Sequence, residues 1–271
     1  RLVEFVESLQ PPHPRHHKWV LILSSLYGCP IECPMCDAGG HYKGRPTADE
    51  LLAQADAMVL SRYPDGKVPA NKFKVQFARM GDPALNPAVL EALRELRGRY
   101  RAPGLMPCIS TVAPRAGSDV LYDMVGLKDE LYYGGRFQLQ FSVHSTDEEA
   151  RDRLMPVKKW SLGELSAFGH RWFRPDDRKV TLNFAAMEGV PIDPDVVAGT
   201  FDTERFLIKL TPMNPTASAR EHGLRSRIDG GRAGSGEALA DEFRSLGFTV
   251  ILSIGELEEN RIGSNCGQYV R

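Results

Sequence analysis

Gly28-Cys29-Pro30-Ile31-Glu32-Cys33-Pro34-Met35-Cys36 places three of the chain's five cysteines within eight residues. Sulfurs only two or three residues apart meet at a metal more easily than they build an independent disulfide framework. Three thiolates at this spacing can cap three corners of a [4Fe–4S] cube, leaving the fourth iron open to a small molecule. A structural zinc site and unrelated buried thiols are the other readings. Zinc would want a fourth Cys or His in a recognisable pair. His41 is the nearest candidate, and nothing pairs with it. Gly28 and the prolines fit a tight loop whose backbone approaches the cluster. Few cysteines, odd in number, point to a reducing compartment, read here as the cytoplasm.

Outward from this loop, strand-like and helix-like segments alternate. His17–Ser24, apolar and β-branched, predicts a buried strand leading into the cysteines. Thr47, with Glu50 three residues on, predicts a capping box opening a helix to about Ser61. Strands are predicted at Phe73–Ala78, Leu105–Thr111, Phe137–Val143, Lys179–Ala185, Phe206–Leu210 and Thr249–Ile254. Helices are predicted at Pro87–Tyr100, Ser118–Leu127, Asp147–Leu154, Ser161–Arg171, Asp193–Thr200 and Gly236–Leu246, and a loop at Arg220–Ser235. Strands separated by helices imply a parallel sheet with right-handed crossovers. About six βα units are too few for an eight-fold barrel, so the expected fold class is α/β, a partial (β/α)6 barrel. One domain is expected, with residues 1–16 a short N-terminal extension, 17–254 the barrel, and 255–271 a C-terminal segment carrying Cys266. In such sheets chemistry sits at the carboxyl ends of the strands. Cys29, Asp82, Thr111, His144 and Asn214 all fall just after predicted strands.

The formal net charge is -1 and the sequence pI about 6.7, which gives no global reason to expect nucleic acid. Lys158, Lys159 and the arginines of Arg220–Arg232 are candidates for a local anion-binding rim. No apolar run approaches the roughly 20 residues that span a bilayer, so no membrane partner is expected.

Several further segments, spread from about Val6 to Gln268, resemble the RlmN/Cfr family of radical S-adenosylmethionine (SAM) methylases, which modify adenine in RNA. Ser24–Cys29 resembles that family's lead-in to its cluster. Met80-Gly81-Asp82-Pro83-Ala84-Leu85-Asn86 resembles its Gly-Glu-Pro turn, with Asp in place of Glu. Ser110-Thr111, Phe141-Ser142-Val143-His144-Ser145 and Thr211-Pro212-Met213-Asn214-Pro215 resemble further SAM-contacting segments. The resemblance implies a radical SAM type of barrel, with Cys29, Cys33 and Cys36 holding the [4Fe–4S] cluster. It also implies SAM contacts at Gly81, Asp82, Ser110, Ser142, His144 and Asn214, the Asp82 carboxylate receiving the SAM ammonium group. Asn265-Cys266-Gly267-Gln268 resembles the family's Ala-Cys-Gly-Gln segment, whose cysteine is methylated and then becomes the source of a carbon radical. Glu7 resembles the family's proton acceptor.

The resemblance breaks at Ile22, where the family has a second cysteine that resolves the protein–substrate crosslink. Cys108 is the one cysteine left over, read as a packed strand residue rather than a replacement. Three functions follow as expectations. The first is C-methylation of an sp² carbon through Cys266. The second is radical chemistry without methylation, with Cys266 as hydrogen donor or substrate anchor. The third is a non-enzymatic metal-binding sensor. A small-molecule or peptide substrate is favoured, RNA remains open, an electron donor such as flavodoxin or ferredoxin is required, and a monomer is expected.

Overall fold

The computed structural model describes residues 2–9, 12–254 and 267–269. They form two compact units, and the chain leaves the first for the second at Ile31–Gly40.

The first unit comprises Arg1–Pro30, His41–Leu139 and Arg174–Arg178. Its strands are β1 (Val6–Ser8), β2 (Lys18–Leu23), β3 (Lys72–Phe77) and β4 (Leu105–Thr111). β1 runs antiparallel to β2, with Val6 opposite Ile22 and Glu7 opposite Leu21. β2 to β4 are parallel neighbours in sequence order, with Ile22 level with Gln76 and Gln76 level with Cys108. β1 lies in the stretch expected to be only an extension. Three residues on a sheet edge carry too little periodicity to be read as a strand.

In β2 and β3 buried and half-buried residues alternate, so one face is dry and the other is not. Trp19, Leu21, Leu23, Phe73, Val75 and Phe77 are fully buried on the dry face, each worth roughly 1.5–3 kcal/mol. Helices α1 (Ala48–Arg62), α2 (Ala88–Arg99) and α3 (Ser118–Leu131) belong to this unit and bury Leu51, Val59, Leu93, Leu96, Leu121 and Met124. The Thr47–Glu50 capping box is present.

The second unit takes Ile31–Gly40, Gln140–Phe173 and the described residues from Lys179 on. It contains most of β5 (Gln138–Ser142), then α4 (Glu148–Leu154), α5 (Leu162–Trp172), β6 (Val180–Ala186), α6 (Pro194–Thr200) and β7 (Phe206–Pro212). α7 (Ala217–Glu221), α8 (Glu237–Ser245) and β8 (Val250–Leu252) follow. β5 to β8 are again parallel neighbours in sequence order. Aromatic rings fill the core, with Trp160 and Phe168 5.0 Å apart and Phe201 and Phe206 4.9 Å apart. The expected loop at Arg220–Ser235 begins inside α7 and is anchored by buried Ile228. Among the described residues, no helix is long and apolar enough to cross a membrane.

Candidate active site

In the first unit the lead-in Ser24–Gly28 carries the chain from β2 to Cys29, and two buried carboxamides hold it. Gln54 on α1 accepts from Ser24 N–H at 2.9 Å and donates to Ser24 O at 3.0 Å. Asn86 Nδ2 donates to Ser25 O at 3.0 Å and Pro46 O at 2.9 Å. The N–H groups of Ser25 and Leu26 donate to Met80 O at 2.8 and 3.0 Å. So close an approach needs Gly81, whose φ is +79° and where a Cβ would lie 2.4 Å from that of Leu26. The Gly81-Asp82-Pro83 turn and the cysteine lead-in are therefore one packed piece.

Asp82 is buried. Its carboxylate accepts from Thr111 Oγ1 at 2.7 and 2.9 Å, Val112 N–H at 2.7 Å and Ala84 N–H at 2.9 Å. Burial nevertheless pushes its pKa up to about 6. A carboxylate has about four lone-pair sites. Three protein donors already use this one, and an ammonium group would add a fourth. Ser110, beside Thr111, accepts from Gln76 Nε2 at 3.3 Å.

Glu7 accepts from Trp19 Nε1 at 3.0 Å and Arg62 Nη2 at 2.5 Å, with Arg15 at 3.7 Å. Burial works against its charge, but Arg62, Trp19 and Arg15 together hold the carboxyl below its ordinary range. A carboxylate so held is a weak base. Ile22, Gln76 and Cys108 share one face of the sheet, since paired residues of parallel strands point the same way. The Cys108 thiol is buried 3.5 Å from Met106 O and 3.9 Å from Gln138 Oε1, and burial pushes its pKa up.

In the second unit Cys33 and Cys36 are half-exposed and joined by a turn, Cys36 N–H donating to Cys33 O at 3.0 Å. The next residue, Asp37, donates its N–H to Gly267 O at 2.8 Å. Its carboxylate accepts from Ala217 N–H at 3.2 Å and Ser218 N–H at 2.8 Å, while Thr216 Oγ1 donates to Met35 O at 3.1 Å. Asn214 O accepts from Thr216 N–H at 2.8 Å. Cys36, Asn214 and Gly267 thus come together on one connected set of turns. Cys266 lies outside the described residues.

Ser142 ends β5, level with Asn183 on β6. His144, two residues on, has φ +62°, uncommon for a residue with a side chain. Its N–H and that of Val143 share Asn183 O at 3.3 and 2.9 Å, and its Nδ1 accepts from Ala185 N–H at 3.1 Å. Burial, and then the charge of Arg151, push its pKa down to about 4. The ring is neutral near pH 7, with the proton on Nε2 available to a ligand.

Among the described residues no three His, Cys, Asp or Glu side chains are gathered as ligands of one metal ion. Cubane corners are a different demand, one thiolate per iron. Three half-exposed thiols, starting just past the carboxyl end of β2, are a donor set that suits it.

Sequence reading assigned no role to Gln54, Asn86 or Asp37, and placed Thr111 only at a strand end, within the Ser110-Thr111 motif. Gln54 alone left a signal, a carboxamide on the apolar stripe Leu51–Ala55–Met58 of α1. Three residues of the expected basic rim are engaged within the protein. Lys159 is buried against Asp152 at 2.5 Å, Arg225 pairs with Glu188 at 2.8 Å, and Arg220 donates to Pro215 O at 2.8 Å.

No family model matches the chain. A protein of Parafrankia sp. named "Probable dual-specificity RNA methyltransferase RlmN" is 25% identical over 97% of the chain and 68% of its own length. Its namesake from Thermus thermophilus is 27% identical over 94% and 68%. That from Nocardioides sp. is 28% identical over 79% of the chain, which spans only 58% of that relative. Among solved structures, a radical SAM methyltransferase from Sphaerobacter thermophilus superposes with TM-score 0.73 over 97% of this chain and 72% of that one, at 19% identity. Streptococcus suis SuiB bound to S-adenosylmethionine gives TM-score 0.54 over 88% and 50%, at 12% identity.

The fold is the α/β partial barrel of the radical SAM class, as the alternating strands and helices predicted. Within that class the chain is a divergent relative of the RlmN radical SAM methyltransferases.

Proposed function

We propose that this chain is a radical SAM methylase that uses Cys266 as its methyl carrier. The observation that carries the reading is the 2.8 Å hydrogen bond from Asp37 to Gly267. It joins the residue after Cys36 to the residue after Cys266.

Cys29, Cys33 and Cys36 would hold a [4Fe–4S] cluster. When bound, such a cluster supplies the electron that cleaves SAM to a 5′-deoxyadenosyl radical. The protein's part is to orient SAM and keep competing acids away. His144 offers a neutral Nε2–H, Ser142, Ser110 and Asn214 offer polar contacts, and Gly81 lets the turn approach closely. Asp82 holds that turn against the end of β4 and has one lone-pair site left for the SAM ammonium group. Cys266 carries the methyl carbon that ends up on an sp² centre of the substrate. A flavodoxin or ferredoxin would deliver the electron. The near-neutral chain favours a small-molecule or peptide substrate, with RNA the alternative suggested by the relatives' names.

Ile22 favours a second reading. A β2 residue that can neither take a proton nor form a disulfide suits radical chemistry without methylation, with Cys266 as hydrogen donor. One experiment separates the two. Reconstituted protein is incubated anaerobically with methyl-labelled SAM and reductant, and the C-terminal peptide is analysed by mass spectrometry. Label on Cys266 is the expected result. Intact 5′-deoxyadenosine production with no label there would leave only the second reading.

A further inference from the structure

We infer that the Asn183 carboxamide, on the sheet of the second unit, accepts a hydrogen bond from a ribose hydroxyl of SAM. The inference rests on the proposed placement of SAM against Ser142 and His144, and not on methyl transfer.

Register puts Asn183 beside those two residues. On β6 it is level with Ser142 of β5 and with Lys209 of β7, and paired residues of parallel strands point the same way. Thr181, two residues earlier on β6, is level with Gln140 and shares the face. The backbone ties the neighbours together further. Asn183 O accepts from Val143 N–H at 2.9 Å and His144 N–H at 3.3 Å, so one residue carries the side chain and holds the His144 turn.

The carboxamide itself is incomplete. Asn183 is only 8% exposed, and among the described residues its Oδ1 has no hydrogen-bond donor. Two other buried carboxamides are complete by comparison. Gln54 both accepts from and donates to the backbone of Ser24. Asn86 donates to Ser25 O and Pro46 O and accepts from Ala88 N–H at 3.2 Å. Those two brace loops, and the protein supplies their partners. A buried amide oxygen without a donor costs stability, and a few such poised polar groups are what orient a ligand in its site.

Chemistry selects the ligand group. Oδ1 only accepts, so the incoming group must donate. SAM offers an ammonium group, an adenine amino group and two ribose hydroxyls. The ammonium group is already assigned to Asp82. A base prefers an aromatic or apolar surface against its face, and the level row Ser142, Asn183 and Lys209 is polar throughout. A ribose hydroxyl suits that row, donating to Oδ1 while accepting in turn from a group such as Ser142 Oγ.

The full chain with its cluster reconstituted is titrated anaerobically with S-adenosylhomocysteine by calorimetry. Asn183→Leu nearly keeps the shape and removes the acceptor. Binding should weaken about tenfold or more, while the unliganded variant unfolds at the same or a higher denaturant concentration. Removing one of the two ribose hydroxyls from the ligand should cost the wild type about tenfold and the variant nothing further. Replacing the adenine amino group by oxygen should cost both proteins equally. If Asn183→Leu does not unfold cooperatively, the ligand responses of Asn183→Ala are read instead. Unchanged affinity overturns the inference, as does a hydroxyl loss felt equally by both proteins or an amino-group loss felt by the wild type alone. So does cooperative unfolding of Asn183→Leu at a clearly lower midpoint, since the carboxamide then has its partner within the protein. Ser142→Ala separates this failure from that of the SAM placement. If it weakens binding and Asn183→Leu does not, this inference alone falls; if neither does, the placement falls with it.

Discussion

The backbone N–H of Asp37 donates to the carbonyl of Gly267 at 2.8 Å, tying the turn after Cys36 to the stretch that follows Cys266. The Asp37 side chain caps the first N–H groups of α7 at the same time. One residue therefore fixes three segments far apart in sequence.

Asp37→Ala removes the carboxylate and leaves Ala217 N–H and Ser218 N–H without it. Loss of a cap of this kind costs about 1 kcal/mol, read as a lower denaturant midpoint with unchanged slope. Because the Cys36 turn loosens with it, label transfer to Cys266 should fall by more than 5′-deoxyadenosine production does. Equal falls in both would mean that Asp37 supports the fold and nothing more.

Asp82 makes stability depend on pH in a defined window. Its pKa is raised to about 6 by burial, from an ordinary aspartate value of about 3.9 in the unfolded chain. Between those values the native state binds more protons than the unfolded state, so this group's contribution is fully present below about pH 4 and is lost as pH rises to about 6. Asp82→Asn removes the titration. The stability difference, wild type minus variant, should decline across that window and be flat above it. A difference that is flat throughout would refute the raised pKa.

His144 works in the opposite sense. Its pKa is depressed to about 4, against about 6.5 when unfolded. Its contribution is present above about pH 6.5 and is lost as pH falls towards 4. SAM affinity should accordingly show no histidine titration between pH 6 and 8. Substitution should follow backbone chemistry. Asn tolerates φ +62° and can accept from Ala185 N–H, whereas a β-branched residue is strained there by about 1–3 kcal/mol. His144→Asn is expected to unfold near the wild type and His144→Val well below it, while both bind SAM more weakly.

The helices and parallel strands were legible because each carries its own period and caps. Thr47–Glu50 and Ser161–Glu164 both form the boxes that mark helix starts. Legibility stopped where partners are distant in sequence. Thr111 hydroxyl is 29 positions from Asp82, and Asp37 is 181 from Ser218; no local pattern announces either pair. Glu7 was read by position along the chain. Its three cationic or N–H partners, Arg62, Arg15 and Trp19, come from β2 and α1 as well as its own segment, so its weak basicity belongs to the tertiary structure.

Gly81 and Leu26 offer the sharpest test of how the cysteine lead-in is held. Gly81→Ala places a methyl group 2.4 Å from Leu26 Cβ and 2.6 Å from its Cδ1, at φ +79°. Two penalties should add. The backbone one, for a side chain at positive φ, is about 1 kcal/mol. The overlap one is about 1–3 kcal/mol, because Leu26 is fully buried and cannot swing aside. Leu26→Gly alone leaves a cavity and costs at least the roughly 2–5 kcal/mol of a Leu→Ala truncation, yet it removes Cβ, Cγ and Cδ1 from the path of the new methyl. The double variant should therefore be more stable than the sum of the single losses, by about 1 kcal/mol or more. Denaturant unfolding of the four proteins closes the cycle. Strict additivity would mean that the turn after β3 yields without disturbing Leu26, and that the lead-in to Cys29 is not braced by Gly81.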